Sequence, residues 1–314
     1  MKQVIFNVGG ALSVYTEFDD KKLLIDVGKS IDFNPINDFL VPLYKRRNSE
    51  KSVSDYSKFH IDQIIISHPH KDHLSSIKDF HDNFYPNLLT CPNDNKGMPK
   101  GHLINWDLVG NKEEEFIITL KSMLVGRQPP LRTTSDQNEF IYYLPPQLVE
   151  ETQELKNESY CNNISIATFL IINNYRVFLP SDLQKLGMEK IINLNYLLQN
   201  KLKGGVDVLI CPHHGLESSF STFMFDCMKN GKTNSLNIVS EKINNPEESR
   251  VVDTRYSNSD YCSGNNNLES GNGVKKCYQF KTSRGHIFID YSTKNQPTFE
   301  IISDNKTLIE RFEK

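Results

Sequence analysis

The run Ile61-Asp62-Gln63-Ile64-Ile65-Ile66-Ser67-His68-Pro69-His70-Lys71-Asp72-His73 decides how this chain reads. Ile61–Ser67 is dominated by the β-branched Ile61, Ile64, Ile65 and Ile66, the pattern of a buried strand. Directly after it, six residues carry three histidines and an aspartate. A strand end holds the following turn rigidly, and a tight turn can aim alternate side chains at two neighbouring points. Imidazole nitrogens and carboxylate oxygens suit zinc, manganese or iron. Pro69 stiffens the turn, and Lys71 is expected to face away from any metal.

Working outward, the same arrangement recurs. Val206–Cys211 is a second buried strand, and it too runs into histidines, His213 and His214. Lys22–Val27 is a strand with Asp26 near its end. Arg176–Leu179 is a strand followed by Asp182, and with Ile164–Ile172 it forms a hairpin turning at Asn173-Asn174. Further strands are predicted at Val4–Phe6, Leu12–Tyr15, Asn87–Cys91, Glu139–Leu144, Leu236–Val239, Tyr278–Lys281 and His286–Tyr291, the last two closing the chain. Apolar spacing predicts helices over Asn37–Arg46, Leu74–Asp82, Gly187–Leu202 and Ser221–Met228. Arg47–Ser57 reads as a polar loop, Pro92–Asp136 has weak periodicity, and Asn244–Gly273 is rich in Asn, Ser, Glu and Gly, as a loop insertion would be. Strands and helices alternate in both halves with no dividing linker. That argues for a single α/β sandwich domain over residues 1–314, with an insertion at about 244–273.

The 314 residues, 38% of them hydrophobic, suffice for a large core. A net charge of −3 supplies no global basic field, so binding to nucleic acid would need a local patch. The six cysteines (Cys91, Cys161, Cys211, Cys227, Cys262 and Cys277) form no C-x-x-C pair, which points to thiols rather than a disulfide framework. The N-terminus lacks a signal-type apolar segment, and no run approaches the ~20 apolar residues of a membrane span. A cytoplasmic protein with no membrane partner is expected.

His68-x-His70-x-Asp72-His73 resembles the H-x-H-x-D-H signature of the metallo-β-lactamase superfamily. Asp26 in Leu24-Ile25-Asp26-Val27-Gly28, Asp182 after Ser181, and His213-His214 in the run Asp207 to Gly215 match further motifs in order. Together with Asn7-Val8-Gly9-Gly10, Asn162-Asn163-Ile164-Ser165 and Thr282-Ser283-Arg284-Gly285-His286, they resemble the hydrolase domain of the DNA-uptake protein ComEC and its stand-alone relatives. The resemblance spans nearly the whole chain. It implies a four-layer αββα sandwich and hydrolysis at a pair of divalent metal ions, zinc or manganese. Two positions depart from the pattern. Ser75-Ser76 stands where Gly-Gly commonly follows the signature. Tyr160-Cys161-Asn162-Asn163 stands where many members carry a third-motif histidine, for which His102 is the nearest substitute in chain order.

On this reading His68, His70, Asp72, His73, Asp182 and His213 are the metal ligands. Asp182 would bridge two ions and, with Asp72, belong to the catalytic centre; alternatively it caps the following helix. His213 is favoured over His214 because it comes first off the strand. His214 would then contact substrate or protonate the leaving group. Asp26 would support a ligand histidine from behind, or is a turn aspartate. Lys281, Arg284 and His286 are candidate substrate contacts, in a basic cluster with Lys275 and Lys276 that could hold phosphates or simply face solvent. His60 and His81 read as ordinary surface or packing residues. The expected function is a metal-dependent phosphodiesterase or nuclease, with DNA or a nucleotide as substrate. A hydrolase of a small ester, thioester or lactam is the alternative. From another class, a catalytically impaired partner-binding protein is the third reading, since one metal position lacks its usual histidine.

Overall fold

A computed structural model describes residues 1–18, 21–47, 57–92, 100–110, 113–124, 138–241, 251–265, 269–270, 273–274, 276–293 and 296–313. Lys275, most of the Arg47–Ser57 loop and large parts of Pro92–Asp136 and Asn244–Gly273 lie outside these residues.

Fifteen strands form three sheets among the described residues. In chain order they are β1 (Lys2–Ile5), β2 (Val14–Glu17), β3 (Lys22–Ile25), β4 (Phe59–Ile65), β5 (Phe84–Thr90), β6 (Glu139–Tyr142), β7 (Ala167–Ile172) and β8 (Tyr175–Leu179). Then follow β9 (Val208–Ile210), β10 (Leu236–Val239), β11 (Glu269–Ser270), β12 (Gly273–Val274), β13 (Gln279–Lys281), β14 (His286–Asp290) and β15 (Thr298–Ile302). The first large sheet has the order β15-β14-β1-β2-β3-β4-β5, the second β13-β10-β9-β8-β7-β6, and β11 pairs with β12 alone.

Three cores define the layers. Between the sheets, Ile5, Val14, Ile25 and Ile65 meet Leu170, Val177, Val208 and Ile238. Outside the first sheet, Val4, Leu24 and Ile64 pack under the helical segments that carry Phe39, Leu43, Ile77, Leu120 and Phe312. Outside the second, Phe169, Phe178 and Leu209 pack under those with Leu155, Met188, Ile192 and Phe225. The result is a four-layer αββα sandwich. It explains why β9 and the Ile64–Ile66 end of the β4 segment read as apolar runs: both are covered on both faces, so neither face needs to be polar.

Strand direction positions the site. β3, β4 and β5 are mutually parallel, as are β8, β9, β10 and β13. Parallel neighbours bring their C-terminal ends to one edge, where ligand sites of α/β sheets form. The segments after β3, β4, β8 and β9 carry Asp26, His68–His73, Asp182 and His213-His214 respectively.

Most sequence expectations hold within a few residues. The hairpin turns at Asn173 and Asn174, both in the left-handed region (φ 48° and 70°) that Asn tolerates. Three expectations are corrected. Gly187–Leu202 is two helices, Lys185–Leu194 and Tyr196–Lys203, because the Asn195 side chain accepts a hydrogen bond from the Leu198 amide and starts a new helix. Leu74–Asp82 is likewise split, into Lys71–Leu74 and Ile77–Asn83. The chain does not close at Tyr291: β15 and a helix at Asn305–Glu313 follow, burying Phe299, Leu308 and Phe312.

Candidate metal centre

Backbone contacts hold the signature turn in place. The Leu12 amide donates to the Asp72 carbonyl, the Val27 amide to the His73 carbonyl, and the Ser76 amide to the Val27 carbonyl. At Gly28 a Cβ would stand 2.0 Å from the Asp72 carbonyl oxygen, so only glycine lets the two segments approach this closely. That gives the glycine of the Leu24–Gly28 motif its steric reason.

Asp26 lies behind the turn, fully buried and in the left-handed region (φ 57°). Its carboxylate accepts from the Ser67 amide (2.7 Å), the Ser67 hydroxyl (2.7 Å) and His73 Nδ1 (2.7 Å). This fixes His73 with Nε2 pointing forward, 3.2 Å from Asp182 Oδ2. Nε2 is buried and makes no hydrogen bond among the described residues, as an atom aimed at an absent partner would. His68 is also fully buried; its Nε2 lies 3.0 Å from His70 Nδ1 and 3.8 Å from Asp182 Oδ2.

The opposite wall comes from the second sheet. Ser181 has φ 53°, and its carbonyl accepts from the His213 amide at 2.9 Å. The helix after Asp182 is capped from Gln184, so Asp182 is not its N-cap. His213 and His214 both adopt positive φ, 45° and 58°. His214 Nδ1 donates to the Ser240 carbonyl (3.1 Å), turning Nε2 toward Asp72 Oδ2 at 3.4 Å. Of the seven non-glycine residues with positive φ among those described, Asp26, Ser181, His213 and His214 are at this site. Such conformations cost about 1–2 kcal/mol each and persist where the surroundings impose them.

The result is a group of Asp72, His73, Asp182 and His214 whose ligand atoms all lie within 4.8 Å of one another. Sequence order favoured His213 for this position. The structure puts His214 there instead, because the left-handed turn and the Ser240 carbonyl bring the second imidazole, not the first, over Asp72. His213 stays close, with Nε2 3.8 Å from the same Asp182 Oδ2.

The electrostatics match a cationic guest. Burial disfavours a charged Asp182, yet the imidazoles of His73, His214 and His68 hold its carboxyl well below the usual range. Burial likewise opposes protonation of His73, but Asp182, Asp26 and Asp72 outweigh it and hold its pKa well above normal. His68 is pushed the other way, by burial and by its two neighbouring imidazoles. Three carboxylates gathered with imidazoles therefore demand positive charge here. A divalent cation satisfies that demand with the nitrogen and oxygen donors it prefers. The residues fit a metal ion.

Other candidates fall elsewhere. His102 pairs with the Tyr143 hydroxyl (3.0 Å) and is outside the four-ligand group. Cys161, at the third-motif position, is a buried thiol pushed up by burial and then by the charges of Asp182 and Asp72. His286 is 4% exposed, packed on Phe33 and Phe6 with Nδ1 accepting the Asn7 amide, so it offers substrate no surface. Lys281 is paired with Glu241 at 3.0 Å, while Lys276 and Arg284 are exposed. His60 contacts the Asn87 side chain at the edge of the first sheet. None of the six cysteines forms a disulfide, and no described helix is long and apolar enough to cross a membrane. Sequence reading placed Ser67 only as the first residue of the Ser67–His73 motif and gave it no role of its own.

No protein-family profile and no curated protein matches the chain. Among solved structures it is similar to the metallo-β-lactamase fold protein YhfI from Bacillus subtilis, at 11% identity and a TM-score of 0.32, over 78% of this chain and 88% of that one. The architecture itself rests on the four layers and on the edge where the motifs converge. The fold is a four-layer αββα sandwich. Within it, the four-ligand group is a candidate site for a divalent metal.

Proposed function

We propose that this protein is a metal-dependent hydrolase of phosphodiesters, acting on DNA or a nucleotide. The observation that carries the hydrolase reading is the convergence of His68, His73, His213 and His214 on one Asp182 carboxylate oxygen, at 3.2–3.8 Å. Asp72, His73, Asp182 and His214 would hold one ion. His68, His70 and Asp182 would hold a second, with His213 standing in for the absent third-motif histidine. Zinc or manganese suits these donors. Bound there, the ions would acidify a water molecule and polarise the scissile group.

The chain's own residues do the rest. Asp26 fixes the His73 tautomer, and the Ser240 carbonyl fixes that of His214, so both Nε2 atoms face the centre. Asp182 is shared between the two ligand sets. The phosphodiester class is supported by the ComEC-like motif order, and exposed Arg284 is the side chain suited to a substrate phosphate.

A hydrolysis panel tests this, with Mn²⁺ or Zn²⁺ added to single- and double-stranded DNA, RNA, cyclic nucleotides, and phosphate, carboxyl and thiol esters. Phosphodiester cleavage is expected, with Asp72→Ala losing more than the roughly 10–100-fold of an outer-shell change. Cleavage confined to carboxyl or thiol esters would replace the substrate class. Undiminished activity in Asp72→Ala, or a protein that neither holds nor gains zinc, manganese or iron, would remove the metal reading.

A further inference from the structure

Ser67 sits between one carboxylate and two histidines. Its hydroxyl is 2.7 Å from Asp26 Oδ2, 3.1 Å from His68 Nδ1 and 3.3 Å from His73 Nδ1, and the residue is fully buried. A serine hydroxyl has one proton and two lone pairs. The Asp26 carboxylate is the strongest acceptor in reach and accepts from three neighbours, so the Ser67 proton goes to Asp26. The Oγ lone pairs then face His73 Nδ1 at 3.3 Å and His68 Nδ1 at 3.1 Å, and a ring lone pair set against an oxygen lone pair at that distance would repel it. His68 Nδ1 must therefore carry its hydrogen, which leaves Nε2 with a lone pair toward His70 and Asp182.

We propose that Ser67 is a positioning residue that relays the tautomer choice of Asp26 to His68. One buried carboxylate thereby sets both histidines: His73 by direct contact at 2.7 Å, and His68 through the serine hydroxyl. The two histidines belong to different ligand sets in the reading above, so this single carboxylate prepares both metal positions. The link to metal rests on that reading; the tautomer assignment does not.

The test uses the full chain, stripped of metal with a chelator and labelled with ¹⁵N-histidine. Two-bond ¹H–¹⁵N correlation spectra report each ring's tautomer, with His68→Gln assigning the His68 signals. In the wild type, His68 is expected as the Nδ1–H tautomer, and His73 keeps a proton on Nδ1 toward Asp26. Ser67→Ala keeps the backbone donor to Asp26 but removes the relay. His68 should then become a mixture of tautomers while His73 stays unchanged, and Ser67→Thr should restore His68. Zn²⁺ titration should show a roughly 10–100-fold weakening confined to one of two sites in Ser67→Ala. An unchanged His68 tautomer in Ser67→Ala would overturn the proposal. So would equal weakening at both metal sites, or no rescue by Ser67→Thr. If threonine is too large for the pocket and the variant does not fold, Ser67→Cys takes its place, and its weaker donor and acceptor should give an intermediate His68 mixture. Should the wild type bind no metal at all, the functional reading fails while the tautomer spectra still decide the role of Ser67.

Discussion

On the first sheet, His68 and His73 are held by side chains: Asp26 and Ser67 grip them through a buried network of hydrogen bonds. On the second, Ser181, His213 and His214 are aimed by the backbone, each in the left-handed region that L-residues usually avoid. Both walls point imidazoles at the same carboxylate. The difference teaches that ligand placement can be achieved by polar bracing or by backbone strain, and that the two respond to different substitutions. A braced wall fails when its brace is removed. A strained wall stabilises the protein when the strain is relieved, at the expense of the site.

The largest effect is expected from Asp26→Ala. It strips three donors of their acceptor inside a fully buried network. Removing one partner of such a buried charged pair typically costs about 3–5 kcal/mol. Urea unfolding of the metal-free protein checks this; a loss under about 1 kcal/mol would show that the first wall does not depend on its brace.

Acid should bear on the first sheet next. Burial pushes His286 down to about 4, from 6.5 in the unfolded chain, against weaker raising contributions from Asn305 and Asp304. Between those values the unfolded chain binds a proton that the folded one does not, so stability falls as pH drops from 6.5 toward 4 and this contribution is flat above 6.5. A difference of this size corresponds to about 3 kcal/mol at the acid end. His286→Gln should remove that part of the slope, measured as unfolding free energy at pH 4.5 against pH 7.5. An unchanged slope would assign the acid sensitivity to other groups.

The smallest effect sharpens the contrast most. At His213 (φ 45°) glycine relieves about 1–2 kcal/mol of left-handed strain, while its unfolded-state entropy costs about 0.5–1 kcal/mol. His213→Gly should therefore leave the metal-free protein as stable as before, or up to about 1.5 kcal/mol more stable, while weakening metal binding. A clear loss of stability on urea unfolding would mean that the second wall, too, is held by side-chain packing.

Much of this was legible in the chain. The apolar runs before His68 and His213 announced strands covered on both faces, because such a run has nowhere to stop being buried. The Asn173-Asn174 hairpin was readable for a similar local reason: asparagine tolerates the left-handed turn. The Gly187–Leu202 helix was not readable as two, since an internal Asn195 is tolerated in a helix and only its capping bond to Leu198 shows the break. β15 and the final helix were missed because Phe299, Leu308 and Phe312 are buried by packing onto distant parts of the first sheet, which no local pattern reveals.

By itself, the sequence determined the chemistry available: imidazoles and carboxylates placed directly after buried strands, in an order that specifies the layered fold. Those properties follow from local spacing and from the periodicity of apolar residues. Only the tertiary structure decided which imidazole goes where. Whether His213 or His214 meets Asp72 depends on two φ angles and on the Ser240 carbonyl, 26 residues further along the chain from His214. That Ser67 lies between Asp26 and His68 depends on β3 and β4 being parallel neighbours, which brings residues 41 positions apart within 2.7 Å. Contacts of that kind are set by strand pairing across the sheet, and strand pairing leaves no local trace in the order of residues.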